Sequence, residues 1–96
     1  TPEETLQLFI DALKKGDVEL AAKYFVLDKQ EEWEENLTKI KEKDLLRRMI
    51  YDLERNKEKK FEGSTATYYI SNDEKDLALI VRFVRNASGK WKIESM

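Results

Sequence analysis

The sequence predicts an α+β domain in which three to four N-terminal helices pack on one face of a small C-terminal antiparallel β-sheet. Apolar residues recur at helical spacing in the first half of the chain, and after Lys60 they alternate at the period of a strand. A length of 96 residues with 41% hydrophobic residues supports one core and little more. We therefore predict that residues 1–96 form a single domain.

The first predicted helix begins at a capping box and ends at a glycine. Thr1 is the N-cap, Pro2 takes the first helical position, and Glu4 stands where a capping box needs an acid. The apolar stripe that follows consists of Leu6, Phe9, Ile10 and Leu13. Gly16 suits the C-terminal cap because its backbone tolerates the left-handed conformation, so an amphipathic helix spans this segment.

Further helix starts lie close behind. Asp17 can cap a short second helix, and Asp28 with Glu31 repeats the capping-box pattern for a third. Beyond these, Trp33, Leu37 and Ile40 lie on one side of a helical wheel. Opposite them lie Leu46, Met49, Ile50 and Leu53. We therefore predict a break near Lys43-Asp44 and a fourth helix from Leu45 to about Arg55, capped by Asp44; the alternative is one long helix from Lys29 to Lys60 that is buried on both faces.

Three strands are predicted after the helices. They cover Thr65 to Ser71, Leu77 to Arg85 and Lys90 to Met96, with turns at Asn72–Lys75 and Ala87–Gly89. Whether Phe61-Glu62 belongs to an earlier strand stays open. The oxygen-rich turn from Asn72 to Asp76 lacks the spacing of an EF-hand loop, which favours a polar turn over a calcium site.

The predicted register divides the side chains of the sheet between two faces. An even loop at Asn72–Lys75 places Tyr68 and Val81 on one face, and a three-residue loop ending at Gly89 pairs Phe83 with Ile93. The same loop pairs Arg85 with Trp91. The opposite face, here called the outer sheet face, carries Tyr69, Ala78, Ile80, Arg82, Val84, Lys92 and Glu94. The apolar face is expected to pack on the helices.

Composition excludes most catalytic chemistry. The chain contains no Cys and no His, so it has no thiolate, no imidazole base, no disulfide and none of the usual zinc ligands. We therefore predict no enzyme activity, no cofactor and no metal. A net charge of -2 gives no field that attracts nucleic acid, and the apolar run from Leu77 to Val81 is far shorter than the roughly 20 residues of a membrane span.

Three passages of the sequence resemble a known superfamily. They are PEETLQLFIDALKKGDVELAAKYF, then ATYYIS with LALIVRFVRN, and finally SGKWKIESM. In this order they resemble the nuclear-transport-factor-2-like (cystatin-like) superfamily, in its small bacterial branch of unknown function found in predicted lipoproteins. The resemblance implies helices before a sheet, dimers formed through the sheets, and an extracytoplasmic or membrane-anchored location through an upstream segment. The irregular stretch from Lys29 to Lys60 argues against a designed protein of this fold.

The outer sheet face is the first candidate site. Arg82 lies between Ile80 and Val84, beside Tyr69, and aromatic, β-branched and Arg residues are typical of interfaces. We predict a non-catalytic binding or protein-interaction module that uses this face for a homodimer or a protein partner. The alternative is a partly buried face on which Arg82 pairs with an acid such as Glu94.

The second candidate site is a cleft between the helices and the sheet. Tyr24, Tyr51 and Tyr68 would line it, and the domain would then bind a small molecule, with or without catalysis. Tyr68 faces the helices, and a buried tyrosine usually finds a hydrogen-bond partner for its hydroxyl. A core role for Tyr68 is therefore favoured over a catalytic acid.

Overall fold

The computed structural model describes residues 1–74 and 76–96, so Lys75 of the predicted turn lies outside the described residues. Within them, four α-helices precede a four-stranded sheet, which confirms the α+β prediction. The helices are α1 (Pro2–Lys14), α2 (Val18–Ala22), α3 (Gln30–Glu42) and α4 (Leu46–Leu53), with a 3-10 turn at Leu27–Lys29 before α3. The strands are β1 (Lys57–Glu62), β2 (Thr65–Ser71), β3 (Leu77–Arg85) and β4 (Trp91–Ser95).

The predicted ends of α1 and the start of α2 are confirmed. The Thr1 hydroxyl accepts a hydrogen bond from the Glu4 amide at 3.1 Å, and the Glu4 side chain completes the capping box. Gly16 has a φ of 70°, and its amide donates to the Leu13 carbonyl at 2.9 Å. The Asp17 carboxylate then accepts from the Leu20 amide at 3.0 Å. Each cap satisfies a backbone group that the helix leaves unpaired.

The helical middle of the chain breaks at Lys43-Asp44 as predicted, so the single long helix is wrong. Asp44 has a different role from the predicted one. Asp44 has a φ of 60° and ends α3. Its amide donates to the Lys41 carbonyl, and the Leu45 amide donates to the Ile40 carbonyl. A left-handed aspartate at a helix C-terminus is tolerated because its side chain is short and polar. The N-cap of α4 is therefore Leu45, without a side-chain acceptor.

The predicted Asp28 capping box is also wrong. Residues Leu27–Lys29 form a 3-10 turn that runs into α3, and Lys29 takes the N-cap position without a side-chain hydrogen bond. The Gln30 side-chain amide instead donates to the Phe25 carbonyl at 3.0 Å. Because the N-cap of α3 is Lys29, Asp28 lies one residue before the position from which a side chain caps this helix.

The sheet has four antiparallel strands in the order β1-β2-β3-β4: the three predicted strands and β1, to which Phe61-Glu62, left open by the sequence, belongs. The predicted pair of Phe83 with Ile93 is confirmed, and so is the placement of Tyr68 and Val81 on one face. β1 is an edge strand of sequence KEKKFE with almost no apolar pattern, so its sequence indicates a strand only weakly. Its lysines discourage pairing of this edge with other chains.

The core lies between the helices and the inner face of the sheet, and Phe25 joins the two layers. Its ring meets Phe9 edge to face at 5.5 Å and stacks on Trp33 at 4.6 Å between centroids. The backbone that follows Phe25 pairs with β4, because the Val26 amide donates to the Ile93 carbonyl at 2.9 Å. The largest fully buried side chains are Tyr68, Phe9, Phe25, Phe83, Leu13, Leu37, Leu53, Ile70, Ile93 and Val81.

Candidate functional site

The outer sheet face is the surface that the described strands present away from the core. Side chains alternate along each strand, so every second residue points away from the helices. Along β2 the inner residues are buried while the outer ones are half-buried. On β3, Ile80 is 40% exposed and Arg82 is exposed, whereas Val84 is half-buried. The helices therefore cover one face and leave the other open.

The pairing of the strands brings the predicted interface residues together. Tyr69 on β2 is opposite Ile80 on β3. Val84, also on β3, is opposite Lys92 on β4. The Lys60 ammonium lies 5.4 Å from the centroid of the Tyr69 ring. Tyr69, Ile80, Arg82 and Val84 thus form one patch, and the unpredicted strand β1 extends it with Glu58, Lys60 and Glu62.

Arg82 has no ion pair with any described residue. The suggested pair with Glu94 is not formed, because a register irregularity between Arg82 and Phe83 places Ser95 opposite Arg82. The backbone carbonyl of Glu94 accepts instead from the Lys29 ammonium at 2.9 Å. The exposed guanidinium therefore keeps its donors available to a partner.

The three tyrosines of the predicted cleft lie in different places. Tyr24 lies beside β4, and the Lys92 ammonium is 5.9 Å from the centroid of the Tyr24 ring. Tyr51 is 52% exposed on α4, with its hydroxyl 3.5 Å from an Asp73 carboxylate oxygen. Tyr68 is 1% exposed and packs in the core. The structure does not bring them to one cleft.

Tyr68 nevertheless borders a small depression between α1 and the sheet. The depression measures about 160 Å³ and is lined by Glu3, Leu6, Gln7, Ile10, Glu54, Lys57 and Tyr68. The Tyr68 hydroxyl forms no hydrogen bond with a described residue. Every fully buried side-chain oxygen of the described residues has a hydrogen-bond partner. Because the Tyr68 hydroxyl has none, it is not fully buried, and it reaches solvent through the depression. The depression therefore ends at a polar group that the protein does not satisfy.

Burial and charge shift the titration of the groups around this depression. Burial, with a smaller contribution from the Glu3 charge, raises the pKa of Tyr68 to about 12. Burial also lowers the pKa of Lys57, as does the nearby Lys59 charge. A hydrogen bond from Lys59 at 2.8 Å and its positive charge lower the pKa of Glu3. Tyr68 and Lys57 thus offer an O–H and an N–H donor toward one small volume.

Hydrogen bonds and an ion pair hold the described residues of the turn after β2. The Asn72 side-chain oxygen accepts from the amides of Glu74 and Asp76 at 2.9 Å each, and Asp73 pairs with Arg55. Residues 1–74 and 76–96 contain no group of three or more His, Cys, Asp or Glu side chains arranged to hold a metal ion. In that same part of the chain, no helix has the length and apolar character needed to cross a membrane.

A family model described as Domain of unknown function (DUF4878) matches residues 1–96. The chain belongs to the DUF4878 family. It has no significant match among curated proteins or among solved structures. Membership of DUF4878 assigns no activity, ligand or partner, so any function has to be inferred from the surfaces of the domain itself.

Sequence reasoning missed the contributions of β1 to both surfaces. Lys57 borders the Tyr68 depression, and Glu58, Lys60 and Glu62 lie on the outer sheet face. The available signal was the alternation of Lys and Glu just before a predicted hairpin, which is weak without apolar residues at every second position.

Proposed function

We propose that this DUF4878 domain is a non-catalytic interaction module that binds through its outer sheet face. The observation that supports this most directly is the unpaired Arg82 at the centre of the face, between Ile80 and Val84. An Arg among aliphatic and aromatic side chains can bind a carboxylate with two hydrogen bonds while its neighbours lose water. Such residues are enriched at the centres of protein interfaces.

A second copy of the chain is the partner that suits this face. Three cations, Lys60, Arg82 and Lys92, share it with three carboxylates on Glu58, Glu62 and Glu94. The Lys92 ammonium donates to the Lys23 carbonyl at 2.9 Å, so Lys60 and Arg82 are the cations that a partner can engage. A surface with both signs of charge can complement itself about a two-fold axis, with Lys60 and Arg82 facing carboxylates of the other copy. The resemblance to the nuclear-transport-factor-2-like superfamily points the same way.

The size of the face sets the expected strength of that dimer. Four strands about 4.8 Å apart and a longest strand of nine residues, at about 3.4 Å each, span roughly 500 Å². Stable interfaces bury about 800 Å² on each partner. We therefore expect a weak, concentration-dependent dimer rather than an obligate one.

Sedimentation across a range of concentrations tests this function. We expect wild type to approach a dimer at high concentration, and Ile80→Asp and Arg82→Glu to stay monomeric. The matched control is Leu8→Asp, because Leu8 is 49% exposed on α1, which lies on the helical side of the sheet. A wild type that stays monomeric at all concentrations, or a Leu8→Asp variant that dissociates equally, contradicts self-association through this face.

We also propose a superfamily and a cellular location for this domain. The order of helices before an antiparallel sheet supports assignment to the nuclear-transport-factor-2-like superfamily, and superposing an experimental structure on its members tests it. The extracytoplasmic or membrane-anchored location rests on the resemblance alone. Fractionation of cells that express the complete gene product tests the location, and recovery in the cytoplasmic fraction contradicts it.

A small-ligand site beside Tyr68 is the second candidate function. It is favoured by the hydroxyl that lacks a protein partner and by the neighbouring Lys57 ammonium, which together suit a small carboxylate. Of the three predicted tyrosines, only Tyr68 borders this depression. We expect acetate at millimolar concentration to shift the amide NMR signals around Tyr68 in wild type but not in Tyr68→Phe. Equal shifts in both proteins, or none in either, exclude this site for small carboxylates.

A further inference from the structure

A groove on the helical side of the molecule combines an apolar floor with a basic rim. It lies where the ends of α1 and α3 meet the start of α4, and it measures about 660 Å³. This volume falls in the range of roughly 300–1,000 Å³ that is usual for ligand sites. Its lining consists of Leu13, Lys14, Lys15, Gly16, Lys41, Asp44, Leu46, Arg47 and Ile50.

The charge of the groove contrasts with that of the chain. Four cations and one carboxylate line it, although the chain has a net charge of -2. Two of the cations have partners: Lys14 pairs with Glu54 at 3.0 Å, and the Lys41 ammonium donates to the Gly16 carbonyl at 2.9 Å. Lys15 and Arg47 form no ion pair with the described residues. The groove is therefore a locally positive site on an acidic protein.

The lysines of the rim have structural reasons to be there, but Arg47 does not. Lys14 and Lys41 stand in the last turns of α1 and α3, where a cation is favourable near the negative end of the helix dipole. Arg47 stands in the first turn of α4, where a cation is unfavourable. That turn contains no acid, and its N-cap has no side-chain acceptor. A negatively charged group bound in the groove would attract Arg47 and offset its unfavourable interaction with the helix dipole.

We propose that this groove binds an acidic peptide segment of a partner protein, one that alternates carboxylates with aliphatic side chains. Aliphatic groups of the peptide would cover the half-buried Leu46 and Ile50, and its carboxylates would meet Lys15 and Arg47. An anionic membrane is the poorer match, because a flat surface touches the rim of a concave site and leaves its apolar floor in water. This proposal is independent of the outer sheet face, which lies on the other side of the sheet.

Fluorescence anisotropy with a labelled peptide of the sequence Glu-Leu-Glu-Glu-Leu-Glu tests the groove. We expect saturable binding that weakens with added salt, and no binding of the same peptide with Lys in place of Glu. Arg47→Glu should weaken binding by about tenfold, which corresponds to one charge-assisted hydrogen bond. Its thermal midpoint should not fall, because an acid in the first turn is favourable.

The matched control is Arg48→Glu, which makes the same change of charge one residue further along α4. Arg48 pairs with Asp52 and does not line the groove, so this variant should bind within about twofold of wild type. Equal weakening by both variants indicates a diffuse charge effect and overturns the proposal. So does the absence of peptide binding by wild type, whether or not the protein pellets with phosphatidylglycerol vesicles.

Discussion

At the scale of single residues, Tyr68 combines a buried ring with a hydroxyl that the protein leaves unpaired. Its ring packs against Phe83 with centroids 4.8 Å apart, and the Lys59 ammonium lies 5.2 Å from its centroid on the other side. The ring therefore contributes to the core, while the hydroxyl contributes only what water or a ligand in the depression provides. The Tyr68→Phe variant separates these two contributions.

Tyr68 should make the stability of wild type depend on alkaline pH. Burial disfavours the ionised form, so the pKa of Tyr68 rises to about 12 in the folded chain, against about 10 when unfolded. Its contribution is fully present below pH of about 10 and is lost as the pH rises toward about 12.

Urea unfolding of wild type and Tyr68→Phe at neutral and alkaline pH measures this contribution. Near neutral pH the two proteins should differ little, because no protein hydrogen bond is lost. Toward pH of about 12, wild type should lose more stability than Tyr68→Phe. Parallel loss in the two proteins would show that ionisation of Tyr68 is not coupled to unfolding.

At the scale of secondary structure, two helices end in the same way with different residues. Gly16 after α1 and Asp44 after α3 both have positive φ, at 70° and 60°. In both turns the amide of this residue and the amide of the residue after it donate to carbonyls of the last helical turn. Glycine adopts this conformation without strain, whereas aspartate pays about 1–2 kcal/mol for it.

Substitutions at these two positions should therefore have opposite signs. Gly16→Ala should destabilise the fold by about 1–2 kcal/mol, because alanine is strained at this φ. A side chain there would meet only the Lys41 ammonium at 3.4 Å, so crowding adds little. Asp44→Gly should be neutral or stabilising, since the relief of strain offsets the greater freedom of the unfolded chain. Chemical denaturation measures both; a destabilising Asp44→Gly would contradict this explanation.

The sequence predicted those elements whose signals are local. Helical spacing, the Thr1 and Asp17 caps and the Gly16 terminus all act within a few residues, and the structure confirms each of them. Asp28 and Asp44 were misassigned because aspartate suits a turn or a left-handed helix end as well as an N-cap. Only the three-dimensional path of the chain decides between these roles.

The candidate sites were less predictable because they depend on contacts between distant segments. The even length of the predicted turn placed Tyr69 and Ile80 on one face, so the centre of the outer sheet face could be predicted, although their direct pairing could not. The role of β1 could not, since its residues gain a face only by pairing with β2. The basic groove brings together α1, α3 and α4, and no spacing along the sequence indicates that meeting.

At the scale of the whole molecule, Phe25 holds the helices to the sheet. It is fully buried, touches Phe9 of α1 and Trp33 of α3, and lies in the segment that pairs with β4. Phe25→Ala should therefore cost about 3–5 kcal/mol. That is a large share of the roughly 5–15 kcal/mol that stabilises a typical domain.

Thermal unfolding followed by near-ultraviolet circular dichroism tests this role of Phe25. We expect a strongly lowered midpoint and a loss of the aromatic signal that arises from Phe25 and Trp33. Phe61→Ala is the control, because Phe61 is 59% exposed at the edge of the sheet and should change stability by less than about 1 kcal/mol. Comparable losses in the two variants would contradict a special role for Phe25.

The segment from Tyr24 to Val26 also limits how this molecule can assemble. Its backbone occupies the hydrogen-bonding edge of β4 at Ile93, the middle of that strand. Of the strands that the structure describes, β1 is then the one whose outer edge is free along its length. A sheet that can grow at one edge can join one other sheet, edge to edge, and then has no further site for addition. Strand pairing between copies thus ends at a closed pair and cannot continue into a fibre.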